Sequence, residues 1–516
     1  MSKIAKNVAF VNGRIYKSFK PKEVISAIVV VNGRIVYAGS DERALRIADA
    51  LNAEVVDLNG RVVLPGFIDS HVHLDELGIY LNSLNLRGVR SIDELKSRLE
   101  EHAEKTESEW IVGYGWDQEL LKRYPTRWDL DEVVDDRPVL LSRFCLHAGV
   151  LNTRAMEICD LLDSESPYVM SDERGATGIV VEDAYTAAVN KFRESLKPED
   201  YEWFIESAMR YVLSHGITAV GFVSCSGKSF KALERLRAKG KLKLRVFVYF
   251  KDSEITEFSV SRGFGDEFLK INGVKILADG SLGARTAWLS ERYEDADTCG
   301  FPIISRDELE KIARNVKACL QLAIHGIGDR TIDTILDVYR ELNAEDARHR
   351  IEHASVLRDD QVEKIAKLGV AVSAQPHFII SDWWVVRRVG KDRAKWVYRL
   401  KSLIEKGIVV GFGTDSPVEP VNPWETVYSA VTRGKYEGLE LYELTKNEIL
   451  TVEEALHGYT YGSAYILFEE QNIGTLEVGK FADFVVVDRD PFEVDERDLR
   501  NIRVLETYVG GNRVYP

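Results

Sequence analysis

Cysteine is scarce and badly spaced for cross-linking. The five cysteines (Cys145, Cys159, Cys225, Cys299, Cys319) are scattered, odd in number and never in Cys-x-x-Cys pairs. That pattern argues against a disulfide framework or zinc knuckle and suits reduced thiols in the cytoplasm. No apolar run approaches the roughly 18–20 residues that cross a bilayer. The start, Met1 to Asn7, lacks the apolar stretch of a secretory leader. The expected location is therefore cytoplasmic, with no membrane partner. Positive charge is in deficit: 68 Lys and Arg against 83 Asp and Glu leave −15, which disfavours nucleic acid as the main partner. Methionine is also rare, with four in the chain; beside abundant Glu, Lys and Arg this suits a heat-adapted protein. Internal repeats and low-complexity tracts are missing.

What is present is a globular composition, 45% hydrophobic and 29% charged, over 516 residues. That length exceeds one ordinary core, so two or three domains are expected. Near the N-terminus, apolar runs flank Asn12-Gly13 and Asn32-Gly33, and Asn-Gly is the two-residue turn that matches strand twist. Phe484 to Asp488 reads as a strand and Glu506 to Tyr515 as another hairpin. Isolated hairpins are marginal in water. The two ends are therefore expected to meet in one small β-sandwich built from 1–61 and 467–516.

The middle alternates apolar strands with amphipathic helices. The strands are expected at Leu64 to His73, Ile217 to Val223, Leu244 to Phe250, Gly273 to Leu277, Leu320 to Ile324, Arg350 to Glu352, Val370 to Ala374 and Ile408 to Phe412. Eight βα units spell an α/β protein with a (β/α)8 TIM barrel, whose active site lies at the C-terminal strand ends. The barrel is expected over 62–84 and 200–466. Residues 85–199 form a long insertion after the first strand, and such insertions commonly cover the site.

The strand ends carry the chemistry. His71 and His73 leave the first strand on the same side, because side chains alternate. Lys275 lies in strand four, His325 and His353 end strands five and six, and Asp415 follows strand eight. Two imidazoles on one strand grip a divalent ion; four, with a carboxylate, suit a larger metal centre. Lys275 needs its own reason. Near metal ions its ammonium is repelled and tends to deprotonate, and a neutral amine can take up CO2 to form an anionic carbamate. Two divalent ions with a cationic lysine, Asp415 and one hydroxide would sum to about +3; a carbamate lowers this to about +1. Its two oxygens would bridge ions about 3.5–4 Å apart.

Pro65 to His73, Lys275, His325, His353 and Gly413-Thr414-Asp415 resemble the metal motifs of the amidohydrolase superfamily. Asp279 to Thr286 and Ala482 to Asp488 narrow the resemblance to the branch containing N-substituted formamide deformylase. It covers essentially the whole chain. It implies that His71, His73 and Asp415 hold one ion, His325 and His353 a second, and carboxylated Lys275 and a hydroxide bridge them. Zinc is the first choice among the metals this donor set accepts. The implied reaction is hydrolysis of a C–N bond, amide or formamide, in a small molecule. Asp415 would take the proton of the attacking water and pass it to the leaving nitrogen.

Secondary candidates for substrate contact are Trp116, His147, Arg285 and His377, with Trp383, Trp384 and Trp396 as further aromatic lining. A mononuclear deaminase on the same barrel is disfavoured: it expects a Glu after the strand-five His, where this chain has His325-Gly326-Ile327-Gly328-Asp329, and it does not need Lys275. A catalytically silent scaffold is the other alternative, since fold alone does not fix activity. A homodimer is the default oligomer.

Overall fold

The computed structural model describes residues 7–143, 147–254, 260–316, 319–342 and 347–516. Cys145, one of the five cysteines, lies outside them. The chain divides into two compact units, Met1–Leu77 with Ile205–Pro516, and Gly78–Phe204.

The first unit contains the barrel. Its strands are β1 (Phe67–Val72), β2 (Ile217–Cys225), β3 (Arg245–Lys251), β4 (Leu269–Leu277), β5 (Gln321–Gly326), β6 (Arg350–His353), β7 (Ala371–Ala374) and β8 (Val410–Phe412). They pair in parallel, each with its neighbour in chain order from β1 to β8. Helices follow most strands because the intervening sequence repeats at helical spacing. Asp329–Leu342 buries Ile332, Ile335, Leu336, Tyr339 and Leu342 on one face.

The ring is joined beyond β8 by polar bonds. The Asp415 amide donates to the His71 carbonyl at 2.7 Å. The Asp69 carboxylate accepts from the Thr414 amide at 3.0 Å and from its hydroxyl at 2.5 Å. Gly413 permits this approach, since a Cβ there would lie 2.7 Å from the His71 nitrogen.

The single strand expected over Leu64 to His73 is two strands. Val62–Pro65 pairs with Arg14–Phe19 and Phe484–Val487 in a six-stranded sheet, and the chain enters the barrel only at Phe67. Gly66 marks the passage: a Cβ there would lie 2.3 Å from the Thr218 hydroxyl oxygen. That sheet continues through Val504–Val509 and Asn512–Tyr515 on one side and Lys22–Ile25 on the other. A second sheet holds Arg34–Gly39, Ala27–Val31, Val8–Val11 and Glu54–Asp57. Phe484 and Tyr508 stack at 4.4 Å, and Phe10 meets both edge-on, 4.9 Å from Phe484 and 5.2 Å from Tyr508, centroid to centroid.

Arg245 on β3 meets Asp483, next to the sheet strand Phe484–Val487, through Nε at 2.6 Å and Nη2 at 3.0 Å, and both side chains are buried. Removing one partner strands the other charge in the interior. Arg245→Ala is therefore expected to cost about 3–5 kcal/mol in urea unfolding; a loss below 1 kcal/mol would mean that water reaches Asp483.

The second unit has its own six-stranded sheet, ordered Val169–Asp172, Gly175–Val181, Ala148–Leu151, Val139–Arg143, Ile111–Trp116 and Leu84–Asn85. Its core gathers Leu95, Leu99, Ile111, Trp116, Leu141 and Val150. Among the described residues no helix is long and apolar enough to cross a membrane.

Candidate metal centre

Six candidate ligands come from five barrel strands and the chain just beyond them. His71 lies in β1 and His73 one residue past it. Lys275 lies in β4, His325 in β5, His353 at the end of β6, and Asp415 three residues beyond β8. The ligand atoms of His71, His73 and Asp415 lie within 4.8 Å of one another. Asp415 Oδ1 sits 3.2 Å from His71 Nε2 and 3.1 Å from His73 Nε2. Lys275 Nζ reaches His71 Nε2 at 3.3 Å. His325 and His353 pair beside them, with ring centroids 4.4 Å apart, and His353 lies 4.9 Å from His71. The residues picked from separate strand ends are thus neighbours at the C-terminal end of the barrel.

The partners behind the imidazoles decide which nitrogen faces the cluster. His71 Nδ1 is held by the Glu352 carboxylate, and His353 Nδ1 meets Gln375 Oε1 at 2.7 Å. An Nδ1–H donated outward leaves the Nε2 lone pair free for a metal, the usual role of such outer partners. Glu352 in turn carries Arg350, with Nε 2.5 Å from Oε1, and Arg350 lies over the Tyr249 ring at 4.1 Å. Arg350 and Glu352 alternate with Ile351 on β6, which places both inside the barrel.

Burial and charge set the protonation states. Burial drags the Lys275 ammonium down to about 8, although Glu352 and Asp415 oppose the change. Burial depresses His325 to about 3, helped by Lys275, and takes His353 well below its ordinary value. Burial alone would raise the Asp415 carboxyl, but contacts with His71 and His73 hold it well below the usual range. Burial also works against Glu352, which Arg350 and then His71 hold at about 2. Neutral imidazoles beside an ionised carboxylate are the forms that bind a divalent cation.

Two candidate ligands sit on strained backbone. His353 has φ +71° and Asp415 φ +58°, in the left-handed region that non-glycine residues rarely adopt. Each costs of order 1 kcal/mol or more and persists because the surroundings dictate it.

The secondary candidates fare differently. Trp116 is fully buried in the core of the second unit, and its indole N–H donates to the Leu141 carbonyl at 2.7 Å. It packs there instead of lining an open pocket. His147 is exposed, 3.4 Å from Glu182 of the same unit. Arg285 gives Nε and Nη2 to Asp295, each at 2.9 Å. His377 holds Glu419, and Ser381 shares that carboxylate at 2.7 Å. None of these four is among the side chains that meet in the cluster. Trp383 is exposed and Trp384 half-buried.

Sequence reasoning passed over Glu352, Gln375, Asp69 and Asp279. Asp279 accepts from the Ile327, Gly328 and Trp288 amides at 2.9–3.0 Å and lies 3.4 Å from His325 Nε2. Their signal was a carboxylate or amide inside or just beyond an apolar strand, with no solvent to face. Glu352→Gln is expected to weaken divalent-metal affinity about 10–100-fold. Titration with a competing chelator reads that change, and unaltered affinity would remove Glu352 from the centre.

A parallel eight-stranded barrel with histidines and a carboxylate converging at its C-terminal end defines a metal-dependent hydrolase. The chain belongs to the amidohydrolase family, whose sequence profile matches residues 54–515. It is 31% identical to YtcJ of Bacillus subtilis, by name an amidohydrolase, over 98% of each chain. It is 29% identical to the N-substituted formamide deformylase of Arthrobacter pascens, covering 94% of each chain. A solved structure of an uncharacterized metal-dependent hydrolase from Pyrococcus horikoshii OT3 superposes with a TM-score of 0.88 at 42% identity, over 95% of this chain and 99% of that one. A divalent metal is the cofactor this family implies, and the donor set fits it: ligand atoms of His71, His73 and Asp415 converge within 4.8 Å of one another, and the His71 Nδ1 is held by Glu352, away from the centre.

Proposed function

We propose that the protein hydrolyses a C–N bond, amide or formamide, of a small molecule at a centre for two divalent ions, with zinc preferred. His71, His73 and Asp415 would hold one ion and His325 and His353 the other. Lys275, carboxylated by CO2, would lie between them. The observation that carries this reading is the meeting of Asp415 and Lys275 at His71 Nε2, at 3.2 and 3.3 Å. A lysine buried there and drawn towards its neutral form by desolvation has the nucleophilic amine that carbamate formation requires.

When bound, the ions would polarise the substrate carbonyl and make a water nucleophile available near neutral pH. The chain's own residues do the rest. Asp415 takes the proton of the attacking water and delivers it to the leaving nitrogen, a task for an ionised carboxylate beside the reacting atoms. Glu352 and Gln375 hold the His71 and His353 rings so that Nε2 keeps facing the centre.

Protein expressed with ample zinc is expected to contain about two ions per chain, to lose amide hydrolysis on chelation and to recover it when the metal returns. Fewer than one ion per chain overturns the two-ion centre. Lys275→Ala is expected to be nearly inactive, with partial rescue by short carboxylic acids that replace the carbamate oxygens. Normal turnover by that variant would remove Lys275 from the mechanism.

A further inference from the structure

The inside of an eight-stranded parallel barrel is ordinarily filled by layers of branched apolar side chains. Here β6 sends a charged pair into it. Arg350 and Glu352 are both fully buried, with Arg350 Nε 2.5 Å from Glu352 Oε1. The neighbouring strands leave room for the long side chain. The register partners of Arg350 are Ala323 on β5 and Ala371 on β7, two small residues of the barrel core.

The guanidinium is fixed from two sides. It lies 4.1 Å from the centre of the Tyr249 ring on β3, whose hydroxyl donates to Gln321 Oε1 on β5 at 2.5 Å. Its Nη2 donates to the Ser70 carbonyl at 3.2 Å. Ser70 precedes His71, and its hydroxyl lies 2.9 Å from that of Ser373, the register partner of Glu352. Glu352 then has one oxygen beside Arg350 and gives the other to His71 Nδ1. A buried line runs from Gln321 through Tyr249, Arg350 and Glu352 to the His71 ring.

Stability does not account for this pair. Taking both charges out of water costs about as much as their attraction returns, and apolar residues of similar volume commonly serve a fold as well. What the pair does that apolar residues could not is hold an imidazole.

We propose that Arg350 is a positioning residue for the metal centre: it holds Glu352, and through Glu352 it fixes the His71 ring with Nε2 towards Asp415 and Lys275. This rests on the reading of His71 as a metal ligand and extends the centre inward to the barrel core.

The test is zinc affinity of the full chain, titrated against a competing chelator, beside urea unfolding of the metal-free protein. The variants are Arg350→Lys, Arg350→Met, Glu352→Gln and the pair Arg350→Met with Glu352→Gln. Arg350→Met leaves Glu352 as a buried charge without its cation, so both the urea midpoint and zinc affinity are expected to fall, the affinity about 10–100-fold. The double variant removes both charges. Its midpoint is expected above that of Arg350→Met, with an affinity within about twofold of Glu352→Gln alone, because Arg350 acts only through Glu352. A merely structural ion pair would return affinity together with stability. Arg350→Lys keeps the charge and loses the planar fork; it is expected to fold even if Arg350→Met does not, and to bind zinc at least about threefold more weakly than wild type.

Wild-type affinity in Arg350→Lys or Arg350→Met overturns the proposal. So does a double variant that binds far more weakly than Glu352→Gln, since Arg350 would then act by another route, or one that binds as wild type does. If wild-type protein takes up no zinc, the metal-centre reading falls and the proposal with it; zinc uptake that no Arg350 variant alters removes Arg350 alone.

Discussion

Asp415→Asn is expected to lower kcat/KM by about 10²–10⁴-fold, the usual contribution of a positioned general base. The substitution is close to isosteric, so the barrel closure through the Asp415 amide and His71 carbonyl is kept. What is lost is a negative charge and a basic oxygen. Both are in place in the wild type: contacts with His71 and His73 outweigh burial and keep the carboxyl ionised. The measurement is steady-state hydrolysis alongside metal content. A variant that binds metal normally but turns over within tenfold of wild type would show that another group moves the proton.

His71→Ala is expected to have an effect at least as large, about three orders of magnitude in kcat/KM, equivalent to about 4 kcal/mol of transition-state stabilisation. His71 is where the cluster crosses. Its Nε2 meets Asp415 and Lys275, and its Nδ1 is held by Glu352. Removing the ring would delete a proposed metal donor, and among the described residues it leaves the buried Glu352 with Arg350 as its charged neighbour within 4 Å. Metal content is therefore expected to fall as well. His71→Asn keeps a hydrogen-bonding group towards Glu352 and separates a loss of ligand from a loss of fold. If both variants retain activity and metal, the assignment of His71 as a ligand is wrong.

The same crowding shows why the site and the barrel closure are one structure. Asp69 binds both the His71 amide and Thr414, tying β1 to the chain that delivers Asp415. Burial pushes the Asp69 carboxyl up to about 7, and it is retained in the interior because three donors surround it. Strained φ at His353 and Asp415 fits the same picture, since a well-packed frame can hold conformations that the chain alone would leave.

Much of this was readable before any coordinates. The eight barrel strands are short apolar runs between amphipathic helices, and each sits within a few residues of its expected place. The residues that cluster there were legible because a polar side chain at the end of an apolar strand stands out locally. The first strand was misread as continuous because Gly66 lies between two apolar runs and nothing local shows that the first pairs with Phe484–Val487. Trp116 looked like pocket lining because an aromatic residue beside glycine reads the same way in a loop and in a core.

Sequence by itself determined the alternation of strand and helix, hence the barrel, and the identity of the residues that gather at its mouth. Local periodicity and side-chain chemistry suffice for that. Tertiary structure decided which nitrogen of His71 faces the centre and how Arg285 is neutralised. Those outcomes depend on contacts such as His71 with Glu352, 281 residues apart in the chain, which no local pattern encodes because folding alone brings the partners together.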